Sequence, residues 1–253
     1  MTIIYSIDGN IGSGKSTFVS ALKEYFSRPE NCQWYDEESG NSHAIRIHFL
    51  QEPVNIWETI KDRDGKTVLE CFYADQASYS FSFQMMAYIS RLASLRRAVR
   101  EGYDIIFTER CVYTDRNVFA KMLYDDGKIR EIDYQIYNMW FDEFISDFKQ
   151  FNYIYINTDY NVADSRVKKR ARKGEEIPVE YLKKCHEYHE QWLNSVLPQS
   201  LYNITFDGNI STVDKPDLHE GWCEMVKHKL LPISYVSHLS NSIKIPPSAY
   251  LVE

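Results

Sequence analysis

Hydrophobic and β-branched residues cluster in five short runs along the chain, and longer helical patterns separate these runs. The runs lie at Thr2–Ile7, Ile45–Leu50, Asp104–Thr108, Tyr153–Asn157 and Tyr202–Phe206. The first, third and fourth are almost continuously apolar, which is typical of parallel strands covered on both faces. The sequence therefore predicts a parallel sheet that is buried between layers of helices.

Four stretches show the three- and four-residue spacing of amphipathic helices. These stretches are Ser16–Tyr25, Phe81–Val99, Tyr134–Phe148 and Val179–Leu197. Strands that alternate with helices favour a parallel α/β sheet with right-handed crossovers. We therefore expect a three-layer α/β fold with a five-stranded parallel sheet. No internal repeat and no linker rich in Pro, Gly or Ser divides the chain, so we expect these elements to form one domain.

Two segments lack regular periodicity. The polar segment Pro29–His43 is long enough to be a mobile surface loop, and we predict one there. Residues 232–253 also show no periodicity, and we predict an extended arm or a disordered tail. The expected organisation is one domain at residues 1–231 with a C-terminal extension at 232–253.

Composition and charge exclude several classes of protein. The chain has 253 residues, of which 44% are hydrophobic and 26% charged, as in ordinary globular proteins. Its net charge of −7 argues against a nucleic-acid-binding surface, which should be basic. No apolar run approaches the roughly 18 residues that a membrane span needs. We therefore expect neither nucleic acid nor membrane as a partner.

The cysteines and the start of the chain bear on its location. The five cysteines are widely spaced and form no C-x-x-C pair, so we predict buried thiols rather than disulfides or a zinc site. The first apolar run begins at Thr2, which leaves no room for a targeting peptide. These features predict a cytoplasmic protein, or the matured form of a longer one.

The strongest motif is GNIGSGKS at Gly9–Ser16, which fits G-x-x-x-x-G-K-[ST]. It follows the first predicted strand and opens the first predicted helix, so its backbone N–H groups and the helix N-terminus would bind phosphate. Lys15 would reach the β- and γ-phosphates, and the Ser16 hydroxyl would bind Mg²⁺. The predicted phosphate-binding residues are Gly9, Asn10, Ile11, Gly12, Ser13, Gly14, Lys15, Ser16 and Thr17.

This P-loop alone does not distinguish a GTPase, an ATPase motor and a small-molecule kinase. The chain has no N-K-x-D for guanine recognition, and no apolar run ends in Asp-Glu. Instead Glu52 follows the second run, and Glu109 and Arg110 follow the third, at the sheet edge where ligands bind. Two carboxylates and a guanidinium suit a kinase, with one carboxylate for a hydroxyl proton and one for Mg²⁺. The alternative is that both carboxylates are merely solvated strand-end residues.

A cationic segment follows the fourth run. Six Lys or Arg residues lie among the eight residues 166–173. In a P-loop fold this pattern predicts a helical lid, at about residues 166–178, that closes over the triphosphate and expels water. The alternatives are a solvated helix face or a nuclear-localisation patch.

Several further motifs occur in a fixed order between about Thr2 and Leu231: IDGNIGSGKST, QEPVNIW, SFSFQMMAYISRL, TERCVYTDRNVFA, RVKKRARKGEEIPVEYL and HEYHEQWL. Together they resemble the deoxynucleoside kinase family, of the deoxycytidine/deoxyguanosine kinase and insect deoxynucleoside kinase type. The resemblance implies a P-loop kinase fold and ATP-dependent phosphorylation of the 5′-hydroxyl of deoxynucleosides in nucleotide salvage, with Mg²⁺. It also implies a homodimer that forms through the helices near residues 81–99 and 134–148.

Two rival interpretations stay open. A nucleoside monophosphate kinase of the thymidylate kinase type would share the sheet and the lid, but Glu52 would repel the phosphate of its acceptor. A catalytically inactive relative with a structural role is the second rival. The intact residues Lys15, Ser16, Glu52 and Arg110 argue against it.

The resemblance also implies roles for individual residues. Glu52 is expected to be the general base, Arg110 to orient the hydroxyl and stabilise the transition state, and Glu109 to help hold Mg²⁺. Tyr73 is expected to bind the 3′-hydroxyl with a lid glutamate, either Glu175 or Glu176. The expected phosphate contacts of the lid are Arg166, Arg170 and Arg172, and the expected loop around the ATP adenine is Asp207, Gly208 and Asn209.

The expected base pocket follows from the same resemblance. Gln84 would form paired hydrogen bonds with the base, while Trp57 and Phe119 would flank it. Leu69 would fill the space beside the base, and Ala87 matches the small residue of deoxycytidine-type enzymes.

Arg91 and Asp115 are the positions that separate branches of the family. Members that accept thymidine generally have uncharged residues there, whereas cytidine and purine kinases have this pair. We therefore predict that deoxycytidine, deoxyadenosine or deoxyguanosine is preferred over thymidine. The alternative role is a structural salt bridge between neighbouring helices, and both roles are compatible.

Overall fold

A five-stranded parallel sheet lies at the centre of the protein. The computed structural model describes residues 2–36, 41–148, 151–172, 175–199, 202–212 and 214–229. The strands are β1 (Ile3–Asp8), β2 (Gln33–Asp36), β3 (Asn41–Ala44), β4 (Ile47–Leu50), β5 (Ile105–Glu109), β6 (Phe151–Asn157) and β7 (Ile204–Asp207). The central sheet has the order β4-β5-β1-β6-β7, so the predicted α/β fold with five parallel strands is confirmed.

The long helices begin and end close to the predicted positions. The helices are α1 (Lys15–Tyr25), α2 (Val54–Trp57), α3 (Val68–Ala74), α4 (Gln76–Arg100), α5 (Val112–Thr114), α6 (Lys121–Asp125), α7 (Glu131–Ile145), α8 (Tyr160–Arg170), α9 (Val179–Val196) and α10 (218–229). A π-helical stretch, Asp115–Ala120, joins α5 to α6. The four predicted helices are α1, α4, α7 and α9, whereas α2, α3, α5 and α6 are too short to show helical periodicity.

The segment Pro29–His43 is not the irregular loop that its polarity suggested. It contains a 3₁₀ turn, Pro29–Asn31, and then β2, which pairs with β3 in an antiparallel two-stranded sheet. The backbone supplies the hydrogen bonds of such a pair, so polar residues can form it without apolar alternation. The predicted tail, residues 232–253, lies outside the described residues.

Side chains that alternate along the strands build two apolar layers. On β1, Tyr5 and Ile7 belong to one layer, and Ile4 belongs to the other. Phe18 of α1 and Trp222 of α10 pack into the first layer, and α4 and α9 supply residues to the second. Because helices cover both faces, the strands appear as nearly continuous apolar runs in the sequence.

Helix α4 places polar residues on a buried face. Gln84, Ala87 and Arg91 are buried and follow one another at three- and four-residue spacing, so they share one side of the helix. Tyr88 and Leu92, which lie in the predicted amphipathic stretch Phe81–Val99, are buried as well. The core contacts of α4 therefore hold its polar residues in fixed positions.

Two further observations concern membrane-spanning helices and the cysteines. No helix among the described segments is long and apolar enough to cross a membrane. All five cysteines are free. Cys32 is half-buried, and the prediction of buried thiols holds for Cys71, Cys111, Cys185 and Cys223.

Candidate active site

A cavity of about 650 Å³ opens at the carboxyl edge of the sheet. The P-loop after β1, Glu52 after β4, and the β5 end with Glu109 and Arg110 meet at its wall. Parallel strands end at one edge of a sheet, which explains why residues distant in sequence converge here. The predicted residues at the cavity wall are Ile11, Gly12, Gly14, Lys15, Ser16, Thr17, Glu52, Trp57, Leu69, Tyr73, Gln84, Ala87, Arg91, Glu109, Arg110, Asp115, Phe119, Arg166, Arg170, Arg172 and Glu175.

The P-loop packs closely against neighbouring elements. Gly12 has a φ of +80°, and a Cβ there would lie 2.5 Å from the carbonyl oxygen of Ala163, so only glycine fits. The side-chain amide of Asn10 donates to the carbonyl oxygen of Leu182 at 2.8 Å, which joins the loop to α9. The loop is thus held in shape by α8 and α9. Three of its predicted residues do not reach the cavity wall: Gly9, Asn10 and Ser13.

The Lys15 side chain is folded onto the P-loop itself. Its Nζ donates to the carbonyl oxygen of Asn10 at 2.6 Å and to Ser13 Oγ at 3.3 Å. Burial, and then repulsion from Arg110, lowers the pKa of Lys15 to about 7 despite nearby carboxylates. A bound phosphate would supply a counter-charge that this buried ammonium needs.

Two guanidinium groups surround the Glu52 carboxylate. Its Oε1 accepts from Arg110 Nη1 at 2.9 Å and from Arg91 Nη2 at 3.1 Å. Burial alone would raise the pKa of Glu52, but Arg110 and Arg91 outweigh it and lower the pKa to about 2. Both bonds end on Oε1, so Oε2 is the oxygen that can accept a proton from a ligand. The carboxylate is ionised at neutral pH.

Arg110 holds unused hydrogen-bond donors in a buried position. Its Nε and Nη2 atoms have no hydrogen-bond partner among the described residues. The guanidinium carbon lies 5.0 Å from the centre of the Phe119 ring, and the backbone φ of Arg110 is +58°. Buried N–H groups without partners are costly, and non-glycine residues at positive φ are concentrated at functional sites. The arrangement indicates a ligand with acceptor oxygens beside Arg110.

Ser16 and Glu109 form the other polar pair at the cavity wall. Ser16 Oγ donates to Glu109 Oε1 at 2.6 Å. Hydroxyl and carboxylate oxygens suit Mg²⁺, which typically binds one or two carboxylates together with substrate phosphates. Among the described residues, no group of three or more His, Cys, Asp or Glu could hold a metal ion unaided. The pair therefore fits Mg²⁺ that arrives with a nucleotide.

A cluster of aromatic side chains lines another part of the cavity, called here its aromatic end. Phe72 and Phe83 stack with their ring centres 4.6 Å apart, and Trp57 meets Phe83 edge-on at 5.5 Å. The Trp57 indole N–H donates to Ser90 Oγ at 2.9 Å, which fixes the orientation of the ring. Buried Gln84 adds an amide to this apolar wall. An apolar pocket with one amide suits a planar heterocycle.

The Arg91 guanidinium donates hydrogen bonds from all three of its nitrogen atoms. Its Nε donates to Asp115 Oδ2 at 2.9 Å, its Nη1 to the carbonyl oxygen of Glu109 at 2.6 Å, and its Nη2 to Glu52 Oε1. Burial raises the pKa of Asp115, and Arg91 opposes that rise. The structural salt bridge that the sequence left as one alternative is therefore present. The pair also lines the cavity, so both roles that the sequence suggested are compatible with its position.

The structure distinguishes between the two candidate lid glutamates, Glu175 and Glu176. Glu175 lines the cavity and forms ion pairs with Arg170 and with Arg172, where Nη1 and Oε1 lie 3.8 Å apart. Glu176 is exposed and does not line the cavity. Burial, and then the Glu175 charge, raises the pKa of Tyr73. Glu175 is thus the candidate that lies close to Tyr73.

The predicted adenine loop lies outside the main cavity. Asp207 and Asn209 line a neighbouring depression. Arg166 Nη1 donates to the carbonyl oxygen of Gly208 at 2.8 Å and to that of Ser13 at 3.4 Å. Arg166 therefore bridges the P-loop and this loop, although the sequence suggested only a phosphate contact.

Several lining residues were not predicted from the sequence. They are Gln51, Val54, Phe72, Phe83, Lys169 and Tyr181. Most lie inside motifs already recognised, such as QEPVNIW, but nothing local showed that their side chains face the cavity. Buried Asp8 was not predicted from the sequence either. It accepts hydrogen bonds from Ser6 and Thr114 beside the P-loop. Only the tertiary structure reveals that contact.

Comparison with known proteins bears directly on this site. The family described as "Deoxynucleoside kinase" matches residues 5–228 of the chain. The chain belongs to this family. It is similar to deoxycytidine kinase of Rattus norvegicus and of Homo sapiens, each 34% identical over 89% of this chain and 90% of the relative. It is also similar to mitochondrial thymidine kinase 2 of Homo sapiens, 29% identical over 75% of this chain and 64% of the relative.

Family membership confirms the predicted enzyme class. The chain is a phosphotransferase that phosphorylates deoxynucleosides with ATP, a reaction of nucleotide salvage. Neither a monophosphate kinase nor an inactive structural relative is favoured, because the deoxynucleoside kinase family matches residues 5–228. A deoxynucleoside kinase also accounts for a cavity that is lined by both cationic and aromatic residues.

Proposed function

We propose that this kinase transfers the γ-phosphoryl group of ATP to the 5′-hydroxyl of deoxycytidine, deoxyadenosine or deoxyguanosine in preference to thymidine. The observation that carries the proposal is the pair formed by ionised Glu52 and buried Arg110. Glu52 has an oxygen free to accept a proton, and Arg110 has donors free to bind phosphoryl oxygens. Both lie in one cavity with the P-loop lysine, Lys15.

The proposed reaction uses these groups in a single displacement. The 5′-oxygen attacks the γ-phosphorus, the bond from that phosphorus to the β,γ-bridging oxygen breaks, and ADP leaves. The hydroxyl proton passes to Glu52 Oε2. A carboxylate with a pKa of about 2 is a weak base, so we expect the proton to move late, as the new P–O bond acidifies the hydroxyl. Arg110 and Lys15 stabilise the charge on the phosphoryl oxygens.

We assign Mg²⁺ to the pair Ser16 and Glu109, whose oxygens lie side by side at the cavity wall. When bound, the ion would neutralise phosphate charge. Ser16 Oγ donates to Glu109 Oε1 at 2.6 Å, so the two oxygens lie at one place. This geometry supports the assignment.

The acceptor nucleoside is proposed to lie at the aromatic end of the cavity. Trp57 and Phe119 would flank the base, Gln84 would form hydrogen bonds with it, and Leu69 and Ala87 would limit its size. Tyr73 and Glu175 would bind the 3′-hydroxyl. The phosphates of ATP would lie at the cationic end, near Arg170 and Arg172.

A panel of acceptors tests the proposal. ADP release is measured with MgATP and each of the four deoxynucleosides, and with dCMP, dTMP and AMP as alternative acceptors. We expect release with deoxycytidine or a purine deoxynucleoside, a lower kcat/KM for thymidine, and no turnover of the monophosphates. Turnover of a monophosphate that is faster than turnover of the deoxynucleosides would contradict the proposal. The absence of ADP release with all four deoxynucleosides would contradict it as well.

The Arg91–Asp115 pair is proposed to disfavour thymidine. The double replacement Arg91→Met/Asp115→Ala removes both charges together, so no buried charge is left without a partner. We expect the ratio of kcat/KM for thymidine to that for deoxycytidine to rise at least about tenfold, since about 1.4 kcal/mol of discrimination gives that factor. The measurement is the kcat/KM of purified variants on both substrates.

A control pair outside the cavity distinguishes this effect from a general loss of stability. Arg130 and Asp133 form an ion pair outside the cavity, with the Arg130 side chain 85% exposed. Arg130→Met/Asp133→Ala should leave the thymidine ratio unchanged. If the Arg91 and Asp115 replacements also leave it unchanged, the pair does not select the base.

We propose that the kinase forms a homodimer through α4 and α7. Exposed apolar side chains on these helices support the proposal: Ile89 on α4 and Ile132, Met139 and Trp140 on α7. Four large apolar residues on two neighbouring helices would form a continuous patch of the kind found at protein–protein interfaces.

Met139→Lys tests the dimer. A lysine at the centre of an apolar interface would be desolvated without a partner, so we expect sedimentation equilibrium to show a monomer at concentrations where the parent is a dimer. Met225→Lys on α10 is the matched control, because Met225 is similarly exposed (52%, against 62% for Met139) but lies on a different helix. A monomeric parent, or a variant that stays dimeric, would contradict the proposal.

We also propose a cytoplasmic location. Five free cysteines support it, because thiols persist in reducing compartments. Fractionation of cells that express the tagged full-length chain tests this directly, and co-sedimentation with an organelle would contradict it.

A further inference from the structure

Glu175 contacts the cationic end of the cavity while it lies close to the other end. Its Oε2 pairs with Arg170, and its Oε1 faces Arg172. Its charge also acts on the phenol of Tyr73, which lies at the acceptor end. One carboxylate is therefore shared between the two regions that the proposed function assigns to ATP phosphates and to the nucleoside.

Burial distinguishes the carboxylate from its partners. The Glu175 side chain is 5% exposed, whereas the Arg170 and Arg172 side chains are 38% and 37% exposed. Glu175 is thus the buried member of the cluster, and the two arginines are more exposed to solvent. Without ligands, its negative charge partly neutralises the two cations and weakens their attraction for a polyphosphate.

A nucleoside hydroxyl beside Tyr73 would change this balance. A carboxylate has lone pairs for several donors, so a hydroxyl at the acceptor end can draw Glu175 toward itself. The phenol of Tyr73 stays protonated, because its pKa is raised, and can donate to the same carboxylate. Each new donor leaves less of the carboxylate charge for the arginines.

We propose that Glu175 couples the two substrates: nucleoside bound beside Tyr73 engages Glu175 and frees Arg170 and Arg172 for the phosphates of ATP. This inference rests on the proposed function. Coupling of this kind is reciprocal, so ATP must raise the affinity for nucleoside by the same factor as nucleoside raises the affinity for ATP. Glu175 acts here as a positioning residue, since its effect on ATP passes through the arginines.

The test is isothermal titration calorimetry on the full chain with Mg²⁺. Deoxycytidine and the non-hydrolysable β,γ-imido analogue of ATP are each titrated alone and in the presence of the other. For the parent we expect each ligand to tighten the other about tenfold, within the usual range of such coupling. For Glu175→Gln we expect a factor near one, while the affinity for the analogue alone is retained or increased.

Glu176→Gln is the matched control. It makes the same change in charge one residue away, at an exposed position outside the cavity. We expect this variant to keep the parental coupling. The double variant Arg170→Gln/Arg172→Gln provides a second test. It should abolish the coupling, while the affinity for deoxycytidine alone is unchanged.

The outcomes separate this inference from the proposed function. If deoxycytidine binds and is phosphorylated but Glu175→Gln keeps the parental coupling, only the inference is overturned. The same holds if the parent shows no coupling, or if Glu175→Gln weakens the analogue alone, which would indicate that Glu175 merely shapes the lid. If no deoxynucleoside binds the parent, both the function and the inference are overturned.

Discussion

Replacement of Glu52 by glutamine is expected to lower kcat by about 10³-fold, within the usual range for loss of a general base. Glutamine has nearly the same shape and can still accept the hydrogen bonds that Arg110 and Arg91 make to Oε1. It cannot take the hydroxyl proton at the other position. The KM for ATP should change little, because Lys15 and the lid arginines are untouched. Steady-state kinetics with MgATP and deoxycytidine measure both quantities.

Glu58→Gln is the control for this prediction. Glu58 is exposed, lies just beyond α2 and does not line the cavity, yet its replacement removes the same charge. It should retain parental kcat. A Glu52→Gln enzyme that keeps more than about a tenth of the parental kcat would show that Glu52 is not the base, because base catalysis contributes at least about 10²-fold.

Arg110→Lys is expected to lower kcat by about 10²-fold, although the positive charge remains. Lysine cannot place two further donors where Arg110 holds its unpartnered Nε and Nη2 atoms. Loss of one preorganised donor to transition-state charge typically costs 10² to 10³-fold in kcat. Binding of the ATP analogue should be retained, so calorimetry and turnover together separate transition-state stabilisation from affinity.

The matched control is Arg116→Lys, six residues further along the chain. Arg116 donates to Asn138 and pairs with Asp142 outside the cavity. Its replacement should leave kcat unchanged. Equal losses in both variants would mean that the effect arises from the fold of this segment, and an unchanged kcat in Arg110→Lys would remove Arg110 from the mechanism.

Most of the residues on which these kinetic predictions depend could be predicted from the sequence. The P-loop was predictable because its glycines, lysine and serine are contiguous and each has a local reason. Glu52 and Arg110 were predictable because each follows an apolar strand, and strand ends share one edge of a parallel sheet. Their direct contact was not predictable, since 58 residues separate them.

Several features of the structure were missed by the sequence-based expectations, each for a physical reason. The β2–β3 hairpin was missed because backbone hydrogen bonds stabilise it without an apolar pattern. Phe72 and Phe83 were missed as lining residues because helical periodicity shows only which residues can be buried, not which buried residues face a cavity. The contacts of Arg166 to Gly208 and Ser13 were not predictable, because these residues belong to loops far apart in the chain. The expected phosphate contact of Arg166 stays a prediction.

The amino-acid sequence by itself determined the five strands of the central sheet, the four long helices, the P-loop, the cationic segment at residues 166–173 and the family. These features depend on spacing and on residue types within one or two elements. The tertiary structure decided which glutamate of the lid enters the cavity, that Arg91 binds Glu52 and Asp115 together, and that Ser16 meets Glu109. These contacts join elements that packing alone brings together, and no local pattern encodes the distances between them.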